Sequence, residues 1–193
     1  MNIKDFWEKG VNYEEYIENM DVFKKEMQQR VNDVRITSAE FERFRNIQKA
    51  RKLLVCTEAK CKDSLMNLPI IIKIAEASSF LELRILERTK NLQLWEFFST
   101  KGLNNIPICW IMDEDFQYIG HWIERPKKAY RKIDDWKKRN PSYQLIQEDI
   151  TLTEEERTQK LSPLSEKLID EMWNWYDTDL QSETVKEIYQ NLV

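Results

Sequence analysis

Cys61 carries Ser64 three residues downstream, Lys60 and Lys62 on either side, and Asp63 next but one. The run Leu53-Leu54-Val55-Cys56 before it is short and apolar, the signature of a fully buried strand. Leu65, Leu68, Ile72 and Ala75 after it recur at helical spacing. Cys61 is thereby expected where a strand gives way to the first turn of a helix. Backbone N–H groups there lack intrahelical partners and the helix dipole is positive, so a thiolate should be favoured and the thiol pKa should fall below the free value of about 8.5. The two lysines push the same way; Asp63 pushes back. A nucleophilic thiol is the chemistry this pattern suits. Ser64, one turn on, should present its hydroxyl to the sulfur. Asp63 either caps the first turn, where carboxylates are favoured, or moves protons; capping is the commoner role.

The other two thiols, Cys56 and Cys109, lie inside apolar strands and read as small core residues. A Cys56–Cys61 bridge would need Cβ atoms about 3.5–4.5 Å apart, which a strand-to-helix turn seldom offers. Three cysteines and one histidine, without ligand-like spacing, provide no metal site, and no cofactor is implied. His121 is assigned no role. Pro69, inside the expected helix, should bend it by clashing with the carbonyl of Leu65. Pro107, in Asn105-Ile106-Pro107-Ile108, opens a strand and fits either a strand start or a cis peptide.

The elements that must position these residues can be traced along the chain. Phe6, Trp7, Tyr13, Tyr16 and Ile17 stand among charges, as in short helices docked on a core. Phe23, Met27, Val31 and Val34 form an amphipathic stripe, and Thr37 with Glu40 makes a capping box for a helix through Phe41, Phe44 and Ile47. Phe80 to Leu86 reads as a second strand, and Leu92 to Ser99 as a helix ending near Gly102. Ile108–Met112 and Gln117–Ile123 flank Asp113-Glu114-Asp115-Phe116 as a hairpin. Pro126 starts a helix lined by Ala129, Ile133 and Trp136 whose many lysines and arginines suit a solvated face. Residues 140–160 read as polar and irregular at first. Leu161, Leu164, Leu168, Met172 and Trp175 then form a helical stripe that packs on its own domain or on a second copy, and a last helix spans 182–192.

These landmarks resemble the thioredoxin family: a cysteine after a buried strand, a proline eight residues later in the following helix, and an Ile-Pro opening a later strand. The likeness is to a bacterial thioredoxin-like subgroup with a Trp-Cys-x-Asp motif, an N-terminal helical region and a closing Gly…Arg-Pro, here Gly120 to Arg125-Pro126. It covers residues 50–130 securely and the first fifty loosely. The resemblance implies an α/β thioredoxin-like fold, a four-stranded mixed sheet flanked by helices. It also implies a cis Ile106–Pro107 bond against Cys61 and backbone hydrogen bonds from Ile106 to an extended substrate. On this basis residues 1–48 form an N-terminal helical extension packed on the core, 49–140 the thioredoxin-like domain and 141–193 a C-terminal helical extension.

Three departures matter: Ser64 replaces the second thiol, Lys60 the tryptophan before the cysteine, and Val55 a buried carboxylate that helps move protons. Without a second thiol no intramolecular disulfide can release a reduced substrate, and an external thiol must resolve any mixed disulfide. Cys61, Ser64 and Asp63 are thus expected to act in monothiol exchange on protein thiols or disulfides and glutathione, with Ile106 and Pro107 binding substrate. A non-catalytic interaction module is the competing expectation.

The formal net charge of −4 predicts no general attraction for nucleic acid or anionic membrane. The sequence has no apolar run of about 18 residues and no signal-peptide core, which points to the cytoplasm, where thiols stay reduced. A monomer, or a homodimer through the C-terminal helix, is expected.

Overall fold

The computed structural model describes residues 2–193. Strand β1 (Arg51–Thr57) is buried on both faces: Leu53 and Val55 enter one apolar cluster, Leu54 and Cys56 the other. That two-sided burial explains why its sequence is continuously apolar rather than alternating. Strand β2 (Leu81–Glu87) pairs parallel to β1, with Val55 opposite Ile85. Strand β3 (Ile108–Met112) pairs antiparallel to β1, and β4 (Tyr118–Ile123) antiparallel to β3, giving the order β2-β1-β3-β4. The expected four-stranded mixed sheet is therefore present. At the β3–β4 turn, Asp113 Oδ1 accepts from the amides of Asp115 and Gln117, and Phe116 takes a left-handed φ of 64°.

Helix α5 (Lys62–Glu76) makes the crossover between β1 and β2 and lies on the larger apolar cluster. It runs unbroken through Pro69. The same face is covered by α3 (Lys24–Asp33), by α7 (Lys127–Arg139) through Ala129, Ile133 and Trp136, and by α10 (Gln181–Leu192). The opposite face is covered by α1 (Ile3–Lys9) with Phe6 and Trp7, and by α6 (Leu92–Ser99) with Leu94 and Phe98. Helix α6 closes in a Schellman motif: Leu103 N–H donates to Phe98 O at 3.1 Å and Gly102 N–H to Ser99 O at 2.9 Å. Gly102 has φ of 78°, a conformation that disfavours a Cβ.

Helix α2 (Tyr13–Glu18) and helix α4 (Ser38–Arg45) complete the N-terminal region. The expected capping box of α4 is formed, with Glu40 N–H donating to Thr37 Oγ1 and Thr37 N–H to Glu40 Oε2. The C-terminal region departs from expectation. Residues 140–160 are not irregular: α8 (Pro141–Glu148) opens on a proline suited to the first helical position, and α9 (Glu154–Trp175) begins at a further capping box, Thr153 with Glu156. A π-helical turn, Tyr176–Leu180, joins α9 to α10. Leu168 and Met172 of the α9 stripe are buried and Leu161, Leu164 and Trp175 pack beside them, so the stripe lies on its own chain. Among the described residues no helix is long and apolar enough to cross a membrane.

Candidate functional site

The site is assembled where β1 ends. The turn after Thr57 is pinned by Glu58, which is buried and accepts hydrogen bonds from the Thr89 amide and hydroxyl at 2.5 and 3.2 Å. Cys61 N–H donates to Glu58 O at 3.2 Å, bringing the chain into the helix. Cys61 is itself the N-cap of α5. Its sulfur accepts from the Ser64 amide at 3.5 Å, in the role a Ser or Asp side chain usually fills. The thiol in turn donates to Ile106 O at 3.6 Å. The Ile106–Pro107 peptide is cis, and the contact with Ile106 O sets Cys61 against the residue that precedes Pro107. Cys61 is partly exposed, whereas Cys56 and Cys109 are buried, and burial pushes both of those thiols up to about 12.

The expected depressed pKa of Cys61 is not found. Burial raises the thiol above its ordinary value, and the negative charge of Asp63 adds to the rise. The Ser64 hydroxyl and the amides of Ser64 and Asp63 pull the other way but do not prevail. Desolvation of the anion thus outweighs the helix-terminus effect. Ser64 also differs from expectation. Its amide makes the hydrogen bond to the sulfur, while the buried hydroxyl, although it favours the thiolate, forms no hydrogen bond of ordinary geometry among the described residues.

Asp63 does not cap the helix. Its Oδ2 accepts from Arg125 Nη2 at 2.5 Å, and the same nitrogen donates to Glu124 Oε1 at 2.7 Å. Asp63 is buried, and its Oδ1 has no partner among the described residues. Burial lifts its pKa to about 6, with Arg125 restraining the rise. Glu124 holds a left-handed φ of 62°, a strained conformation for a residue with a Cβ, and its surroundings fix it there. Its amide donates to Pro107 O at 2.7 Å, and Oε2 accepts from Asn105 Nδ2 at 2.7 Å and Tyr130 Oη at 2.8 Å. Behind this network, the Asn67 amide nitrogen reaches Asp63 O, Glu124 O and Tyr176 Oη, while Asn67 Oδ1 accepts from Thr184 Oγ1. The loop bearing Pro107, the start of α5 and the C-terminal helices are thereby tied to one another.

A cleft of about 310 Å³ opens beside Cys61. It is lined by Lys60, Lys62, Asp63 and Arg125, by Lys137 of α7, by Tyr143 of α8 and by Met172 of α9.

A protein-family model described as thioredoxin matches residues 10–137. The chain belongs to this thioredoxin family. A search of curated proteins finds no match to the sequence. Among solved structures, the chain is similar to a protein of unknown function from Pseudomonas aeruginosa, at 15% identity and a TM-score of 0.67, covering 99% of this chain and 96% of that one. It is also similar to an HIV epitope scaffold, at 16% identity and a TM-score of 0.65, covering 99% and 97% of the two chains. Likeness at such identities speaks to the fold.

Val55 is fully buried within β1, so no carboxylate stands at that position. Asp63, entering from the helix, is the carboxylate that lines the cleft beside Cys61. Its partner Arg125 went unassigned in the sequence because it opens a basic segment that reads as solvated. The Gly120…Arg125-Pro126 segment was the available signal. His121 lies elsewhere, stacked on Trp110 and bonded to Tyr118 Oη at 2.7 Å.

Proposed function

We propose that this member of the thioredoxin family carries out monothiol thiol–disulfide exchange with Cys61 as nucleophile. The carrying observation is the sulfur's position. It caps α5, is the partly exposed thiol of the three, and lies 3.6 Å from the carbonyl of the residue preceding Pro107. The Cys61 thiolate attacks one sulfur of a disulfide RS–SR′, forming Cys61–S–S–R and expelling R′S⁻. The thiolate of an external thiol R″SH then attacks the sulfur bearing R, breaking its bond to Cys61, restoring the Cys61 thiolate and leaving the disulfide R″S–SR. Ser64 supplies no second sulfur, so the protein undergoes no net oxidation over the cycle. Asp63, whose pKa burial lifts to about 6, would hold or release a proton as Cys61 ionises. Ile106 and Pro107 border the sulfur and would meet the substrate chain. Protein disulfides and glutathione mixed disulfides in a reducing cytoplasm are the substrates this cycle suits.

The raised Cys61 pKa favours a second reading, a non-catalytic module that binds partners on the same face. Incubation with glutathione disulfide followed by intact-mass measurement separates the two. A single adduct that Cys61→Ala abolishes, and that excess thiol removes, supports exchange; an unmodified native protein supports the binding module.

A further inference from the structure

The cleft beside Cys61 has a chemical character of its own. The three lysines that line it, Lys60, Lys62 and Lys137, form no ion pair with a protein carboxylate among the described residues, whereas neighbouring Lys132 and Lys138 do. The carboxylate in the cleft, Asp63, is already engaged by Arg125, which Glu124 also neutralises. Lys62 is half-buried, and burial pushes its amine below the ordinary value, a cost that an incoming anion would relieve. The C-terminal helices contribute to the lining through Tyr143 and Met172. At about 310 Å³ the space is at the lower end of small-molecule sites, which run to roughly 1,000 Å³.

We propose that this cleft is a subsite for the anionic end of a low-molecular-mass disulfide, a compound whose carboxylates sit among Lys60, Lys62 and Lys137 while its sulfur meets Cys61. The inference rests on Cys61 acting in exchange and names the class of substrate. The reaction is the one above: Cys61 bonds the sulfur of the seated half, and the other half leaves as a thiolate. Lys137 is then a specificity-determining residue contributed by α7 to the cleft that Cys61 also lines.

The test is a comparison of adduct formation at Cys61 by three small symmetric disulfides: anionic glutathione disulfide, neutral hydroxyethyl disulfide and cationic cystamine. Each rate is divided by its rate with a free cysteine thiol. The expected result is a preference of about tenfold for the anionic over the cationic probe, decreasing with added salt and decreasing severalfold in Lys137→Ala. Equal normalised rates, or a preference that Lys137→Ala leaves unchanged, would overturn the subsite. So would a glutamate-flanked peptide disulfide that outpaces glutathione disulfide, since it would assign the lysines to a protein substrate. If the neutral probe reacts and no charge preference appears, only the subsite fails. If no probe modifies Cys61, the exchange reading fails with it.

Discussion

Asp63 and Cys61 act on each other through charge, and the sign of that coupling is open to test. Asp63 raises the Cys61 thiol, so Asp63→Asn should lower it. Alkylation of Cys61 followed against pH should show a midpoint shifted down and a rate at pH 7 roughly three- to tenfold higher; an upward shift would mean that Asp63 assists ionisation instead. The same carboxylate has a consequence for stability. Its pKa rises from 3.8 to about 6 on folding, so the folded state holds the proton to higher pH than the unfolded chain does. The contribution of Asp63 therefore favours folding below about pH 4 and is lost as pH rises through about 6, on the order of 3 kcal/mol in all. Urea unfolding should show Asp63→Asn gaining on the natural protein by about that amount between pH 4 and 7.5; a constant difference would contradict the assignment. The sequence made the meeting of Cys61 with Pro107 legible through two motifs far apart in the chain. It did not reveal the direction of the Cys61 shift, because desolvation depends on what packs around the sulfur rather than on its immediate neighbours. Nor did it pair Asp63 with Arg125, which stand 62 residues apart.

At the scale of elements, the strands were the most readable feature, since a run such as Leu53–Cys56 can satisfy both sheet faces only at the centre of a sheet. Helix α8 and the first turns of α9 were missed although their starts were written in Pro141 and in the Thr153-x-x-Glu156 box. Helix α8 buries Tyr143 alone and α9 buries nothing before Leu168, so neither stretch carries a clear apolar stripe. The packing of α10 on β4 rests on a close approach that the sequence does not display. A Cβ at Gly120 would stand 3.0 Å from the Asn191 backbone oxygen, so the helix lies nearly on the strand. Gly120→Val should push α10 outward and cost about 1–3 kcal/mol, the usual range for overpacking. Chemical denaturation would measure it, and an unchanged midpoint would show that α10 can shift without loss.

For the whole molecule, the N- and C-terminal helices are part of one structure with the sheet. Met27 and Phe44 from the N-terminal region, and Leu180, Ile188 and Leu192 from the C-terminal region, share the apolar cluster of α5 and are fully buried. The sequence suggested such packing by the absence of any Pro- or Ser-rich linker, but the contribution of α8 and α9 to the cleft emerges only from the folded chain. This arrangement leaves Cys61 partly exposed while the folded core encloses Cys56 and Cys109. Labelling the native protein with a thiol reagent at pH 8, then mapping the modified residue by peptide mass, tests that distinction most directly. The account predicts complete modification of Cys61 while Cys56 and Cys109 stay protected until the protein is unfolded; protection of Cys61 alongside the other two would contradict it.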